Sequence, residues 1–212
     1  MVDCGPPTGT PTPRQAALLA AAFRLLLDPA RPVEVSLLSS VTGKDPALVE
    51  ADLAQMCAAG RVQRTDAGAV TGCLGLTLEV TSHGILVNGV ALHTWCALDA
   101  FGIMAALGAT GWIESTSPLT GRRLHVDVDA GIPRETAAPW VVFIAERRPV
   151  GSVRAEWCPL VNMFEDAEAA RTWAAAGNVS GQAFSLLETA EFGKALWQPR
   201  IDADLVGSRE AP

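Results

Sequence analysis

The sequence predicts an α+β fold: an N-terminal winged-helix-like helical module, then a core of mainly antiparallel strands with packed helices. Three observations carry that expectation. Hydrophobic residues make up 49% of the 212 and charged residues 18%, a balance that buries a real core rather than leaving the chain disordered. Before Thr81, three helical stretches precede a turn-rich, strand-like one. After it, short strand patterns alternate with helical stretches, without an internal repeat.

Residues 1–12 are rich in Pro, Gly and Thr and read as a flexible tail. Pro13 suits a first-turn position, and Arg14 to Leu27 is dense in strong helix formers until Asp28-Pro29 ends the run. A shorter helix is expected over Val35 to Val41. Asp45-Pro46 opens a third over Ala47 to Ala59, stopped by Gly60. Arg61 to Arg64 and Ala69 to Val80, separated by Asp66-Ala67-Gly68, read as a hairpin that completes the module over residues 13–80.

The core is expected over residues 81–212. Gly84 to Leu92 reads as a hairpin around Asn88-Gly89, a strong short turn signal. Trp95 to Leu107 has helical composition and ends at Gly108 to Thr110. Trp112 to Ser117, Leu124 to Val128 and Trp140 to Ala145 read as strands. A helix follows over Asp166 to Ala176, then a strand over Ala183 to Leu187 and a last helix over Glu188 to Trp197.

Charge and cysteine usage narrow the function classes. With 16 basic against 23 acidic side chains, the net charge is −7, which disfavours polyanion binding and a polybasic membrane contact. Through residue 80, six basic residues (Arg14, Arg24, Arg31, Lys44, Arg61, Arg64) face eight acidic ones (Asp3, Asp28, Glu34, Asp45, Glu50, Asp52, Asp66, Glu79). The helix that would enter a DNA groove, Ala47 to Ala59, holds Glu50 and Asp52 and no basic residue, so a DNA-binding regulator is disfavoured.

The N-terminus has no basic segment leading into an apolar one, so no signal peptide is expected. The longest charge-free run, Val80 to Leu98, carries too many polar and turn residues for a bilayer span. The five cysteines, at 4, 57, 73, 96 and 158, form no CxxC pair. This favours a cytoplasmic protein with reduced thiols over a disulfide scaffold or zinc ribbon.

The most informative stretch is His93-Thr94-Trp95-Cys96-Ala97-Leu98-Asp99. Within a helix, Cys96 and Asp99 share a face. A carboxylate beside a thiol disfavours the thiolate, so the pairing makes sense where protons must move. Spacing alone leaves the plainer reading open, a buried Cys96 and a surface Asp99. A hydrolase with Cys96 as nucleophile and His93 or His125 as base carries little weight, because neighbours on one helix rarely meet with triad geometry. Cys158 precedes Pro159, where a strand or turn should end. Cys57 and Cys73 read as packing residues, and Cys4 belongs to the tail.

The run Leu92 to Asp99 closely resembles the signature of the organomercurial (alkylmercury) lyase family, whose Trp-Cys-Ala-Leu-Asp run carries a catalytic cysteine and the catalytic aspartate. Ser117-Pro118-Leu119-Thr120-Gly121 is similar to the family's turn before a strand. Val153-Arg154-Ala155-Glu156-Trp157-Cys158 falls where its second catalytic cysteine is expected, and the helical stretches 165–173 and 188–196 are similar to its ending. The resemblance covers roughly residues 13–197. It departs from well-known members at Pro159 and at Leu160-Val161-Asn162-Met163-Phe164, where they carry Cys or Asp and then a His-Val-His-Phe-Phe run.

The resemblance implies protonolysis of a carbon–mercury bond. Cys96 and Cys158 would be the mercury ligands, as suits a soft ion, and Asp99 the proton shuttle. It implies no resident cofactor, external thiols to remove Hg(II), and a possible hand-off of Hg(II) to a mercuric reductase. The alternative is a protein that sequesters or transfers mercury or copper on the same fold without turnover.

Overall fold

The computed structural model describes residues 10–134, 138–146 and 152–203. Most of the expected tail, including Cys4, lies outside them. The first helix, α1 (Pro13–Leu27), begins where Pro13 lacks an N–H to waste. The Thr12 side chain accepts from Gln15 N–H and Gln15 reaches back to Thr12, a complete capping box. Helix α2 (Val35–Thr42) and α3 (Pro46–Ala58) follow, and the Asp45 side chain caps α3. Asp52 of α3 is buried and paired with Arg14 of α1, and Glu50 pairs with Arg64. The acids of that helix are thus engaged within the protein.

The hairpin after α3 differs from the expectation. Strand β1 (Val62–Arg64) pairs with β2 (Val70–Cys73), but Ala69 to Val80 is not one arm. The chain turns at Leu74-Gly75, both with positive φ, and β3 (Leu76–Thr77) folds back on β2. Strands β4 (His83–Val87) and β5 (Val90–Thr94) form the expected hairpin, with Asn88 and Gly89 both at positive φ as a type I′ turn requires. Strand β6 (Gly111–Thr116) and β7 (Arg123–Asp129) match the expected strands closely, and β8 (Ile132–Pro133) is an addition.

These eight strands make one antiparallel sheet in the order β1-β2-β3-β5-β4-β6-β7-β8, continuous through residue 80 because β3 pairs with β5. A smaller sheet holds β10 (Asn162–Phe164), β9 (Val141–Ala145) and β11 (Gly181–Ser185) in that order, again antiparallel. The expected strand over Ala183 to Leu187 is corrected. Leu186 and Leu187 instead open α6 (Leu186–Ile201), because Ser185 and Glu188 close a capping box between them. Helix α5 (Ala167–Ala176) starts at the Asp166 cap.

Helix α4 (Ala97–Leu107) lies at the centre; ten of its eleven residues are buried, and apart from Asp99 every residue is apolar. It packs on α6 through two glycines: a Cβ on Gly193 would sit 2.5 Å from Gly102 Cα. Only bare backbones allow that approach. The helix expected from Trp95 therefore starts two residues later, and Cys96 is its extended N-cap (φ −152°, ψ 172°). Among the described residues, no helix is long and apolar enough to cross a membrane.

Candidate active site

The first site segment is set by the passage from β5 into α4. Trp95 N–H donates to Gly75 O at 2.8 Å, Thr94 Oγ1 donates to Cys96 O at 3.0 Å, and Ala97 N–H donates to Val161 O at 3.2 Å. These bonds hold Cys96 extended at the mouth of the helix. Asp99, in the first turn, has its carboxyl within 4.8 Å of the Cys96 thiol sulfur. The three-residue spacing read from the sequence brings the two together, but as N-cap and first-turn partner rather than as neighbours within a helix.

The second segment is irregular. A single π turn, Val153–Trp157, runs into a 3₁₀ turn, Cys158–Leu160. Ser152 Oγ caps it, accepting from Ala155 N–H, and Trp157 Nε1 donates to Ala145 O of β9 at 2.9 Å. Pro159 occupies the first turn of the 3₁₀ segment, where its missing N–H costs nothing. Asn162 Nδ2 donates to Pro159 O at 2.8 Å.

Cys96, Asp99 and Cys158 converge. Their ligand atoms all lie within 4.8 Å of one another, and Cys158 Sγ is 4.0 Å from Asp99 Oδ2 across 59 residues of sequence. Residue exposure is 0%, 5% and 2% respectively, so every charge formed here is poorly solvated. Gly75 closes one wall: a Cβ there would sit 2.2 Å from Asp99 Oδ1. At φ +85° the turn residue presents only backbone to the carboxyl.

Burial dominates the electrostatics. It pushes the Asp99 carboxyl from 3.8 up to about 6, against the Cys96 hydrogen bonds and the Arg200 charge, which favour ionisation. Burial likewise pushes the Cys96 thiol well up, aided by the Cys158 hydrogen bond and the Asp99 charge. For Cys158 the hydrogen bond from Cys96 favours the thiolate, yet burial and the Asp99 charge leave it raised overall. At neutral pH the site thus holds two thiols beside a carboxylate with raised proton affinity.

The remaining candidates separate from this cluster. His125 is exposed on β7, 3.4 Å from both Glu114 and Asp127, and His93 Nδ1 accepts from Thr81 N–H, so neither ring is part of the cluster. Cys73 is buried, its Sγ near Leu19 O, with its thiol raised by burial. Cys57 is exposed, which corrects the packing role expected for it; it falls on the outer side of α3.

Sequence reasoning missed Gly75 and the buried His83. Burial lowers His83 to about 4 despite an Asn162 hydrogen bond, so the ring is neutral; its Nδ1 lies 3.0 Å from Ser115 Oγ. A glycine interrupting a strand pattern was the available signal for Gly75. His83 had none.

The family model for alkylmercury lyase matches residues 76–198, more than half of the chain and all three clustered residues. The chain belongs to the alkylmercury lyase family. It is 33% identical over 150 residues to the alkylmercury lyase of Streptomyces lividans, covering 70% of this chain and 67% of that one. Against the Staphylococcus epidermidis alkylmercury lyase it is 35% identical over 144 residues, covering 67% and 64%. The chain therefore spans about two thirds of the length of these curated relatives. The crystal structure of the mercury-bound form of MerB2 superposes with a TM-score of 0.77 at 21% identity, covering 91% of this chain and 100% of that one, a likeness of fold.

Proposed function

We propose that the protein is an organomercurial lyase that cleaves a carbon–mercury bond by protonolysis, with Cys96 and Cys158 as mercury ligands and Asp99 as proton shuttle. The observation that carries the reading is the buried convergence of two thiols and a carboxylate within 4.8 Å. A linear dithiolate needs its sulfurs roughly 4.6 Å apart, twice a soft metal–thiolate bond of about 2.3 Å, a spacing comparable to the 4.8 Å within which the two thiols lie. Family membership supports the same chemistry.

The steps balance. One thiol displaces the ligand X of R–Hg–X and forms a mercury–sulfur bond, its proton leaving with X as HX. Asp99 takes the proton of the other thiol, whose sulfur lies within 4.8 Å of its carboxyl. The second mercury–sulfur bond then forms, and the added electron density makes the carbon basic. Asp99 returns the proton to that carbon, the carbon–mercury bond breaks, R–H leaves, and Hg(II) stays between the two sulfurs. A carboxyl near 6 is ionised enough at neutral pH to accept the proton and holds it weakly enough to give it back. Mercury here is substrate and product. The mechanism calls for no resident cofactor, and external thiols exchange the product out.

Residues 13–80, with their winged-helix-like succession of helices and hairpin, serve in this reading as a cap on the catalytic region 81–212. Gly75 lies on Asp99 and Trp95 is bonded to Gly75 O. Chemistry that depends on free thiols suits a cytoplasmic location, to be checked by cell fractionation. Release to external thiols is compatible with hand-off to a mercuric reductase. Hand-off would show as Hg(II) transfer to the reductase faster than to the same thiols alone.

The reading is tested by incubating the purified protein with phenylmercury and excess thiol. Benzene should accumulate over many turnovers, and Cys96→Ser or Cys158→Ser should each abolish it. Stoichiometric mercury capture without benzene would select the sequestering alternative instead.

A further inference from the structure

We propose that Gln63 and Glu79 are positioning residues: their side chains form a clasp, outside the site, that ties the Cys96 segment to the Cys158 segment and so sets the spacing of the two sulfurs. The inference rests on the lyase reading and adds residues to it that touch no mercury.

Gln63 sits on β1, far from the thiols in sequence, and is 6% exposed. Its Oε1 accepts from the Trp95 indole N–H at 2.5 Å, and its Nε2 donates to Glu79 Oε2 at 2.7 Å. The same Glu79 oxygen is 3.9 Å from an Arg154 guanidinium nitrogen. Trp95 immediately precedes Cys96, and Arg154 lies on the π turn that runs into Cys158. The path Trp95–Gln63–Glu79–Arg154 thus joins the two thiol-bearing segments.

The residue types suit the task. An indole N–H only donates and a carboxylate only accepts, so the link between them must do both, as a primary amide does. Buried amides satisfied at both ends are costly to unpair, which makes the Gln63 end firm. The Glu79–Arg154 end is half-exposed and correspondingly weak. It still tethers the turn that carries Cys158. With Trp95 N–H on Gly75 O and its indole on Gln63, the residue before Cys96 is held at both ends.

The test uses the full chain with Gln63→Leu, Gln63→Glu and Glu79→Gln. Three quantities are measured: kcat and KM with phenylmercury, the number of sulfurs on inorganic Hg(II) by X-ray absorption, and Tm. Gln63→Leu removes both links and should lower kcat at least about tenfold, since small misplacements of reacting groups carry large rate costs. It should also shift part of the bound Hg(II) from two sulfurs to one. Gln63→Glu keeps the acceptor for Trp95 but opposes Glu79, so it should recover much of that loss and resemble Glu79→Gln, at about two- to threefold.

Wild-type kcat and two-sulfur mercury in all three variants, whatever their Tm, would overturn the proposal. Should Gln63→Leu fail to fold, Glu79→Gln, altered at an exposed carboxylate, carries the decision. A wild-type protein that binds Hg(II) through two sulfurs yet releases no benzene would end the lyase reading. The clasp would then be judged by the sulfur count.

Discussion

Replacing Asp99 with asparagine is expected to abolish turnover and, above pH 6, to stabilise the fold. The carboxyl is buried, and desolvation raises it from 3.8 to about 6. An acid with a raised folded pKa binds more protons folded than unfolded between those two values, so stability falls as pH rises through that window. At about 1.4 kcal/mol per pH unit the gap amounts to about 3 kcal/mol, absent below the lower value and present in full above the upper. Asparagine has nearly the same shape and has no charge to desolvate. Urea unfolding of both proteins, from about pH 4 to pH 7.5, gives the difference directly. It should open from near zero to about 3 kcal/mol in favour of Asp99→Asn. A difference that does not change with pH would refute the claim that Asp99 ionises at a desolvation cost.

Other expectations follow from close approaches and caps. Gly75→Ala places a Cβ 2.2 Å from Asp99 Oδ1 at a positive φ, so the carboxyl must shift and kcat for benzene release should fall about 10²-fold. Gly193→Ala drives a Cβ to 2.5 Å from the Gly102 backbone; the unfolding free energy should fall by the cost of overpacking, about 1–3 kcal/mol, although alanine is the better helix former. Ser185→Ala removes the α6 capping box and should lower unfolding free energy by about 1 kcal/mol with kcat unchanged.

Local signals explain what could be read from the sequence. The boundaries of α1, α2 and α3 and the Asn88-Gly89 hairpin rest on caps, Pro and Gly within a few residues, and the structure places them within a residue or two. The misreadings occur where local signals compete or vanish. Leu186-Leu187 looks strand-like by composition, but Ser185 and Glu188 three residues apart were the stronger signal, a capping box that starts α6. Strands β8 and β10 have two and three residues and carry no periodicity.

The site divides the same way. Cys96 and Asp99 are legible as a pair because they are three residues apart. The burial of Asp99, which gives it its proton affinity, comes from the Gly75 turn, and nothing local to Asp99 reports it. Cys158 lies 59 residues from Asp99 on a π and 3₁₀ turn without a repeating pattern, so only the family resemblance pointed to it.

In the proposed reaction two thiols hold mercury while Asp99 protonates the departing carbon. A single turnover tests it most directly: one equivalent of phenylmercury, no external thiol, benzene measured by gas chromatography and mercury by X-ray absorption on the same sample. One equivalent of benzene is expected, with Hg(II) retained between two sulfurs at roughly 2.3 Å, the length of a comparable metal–thiolate bond. Intact phenylmercury held by a single sulfur, with no benzene, would contradict it.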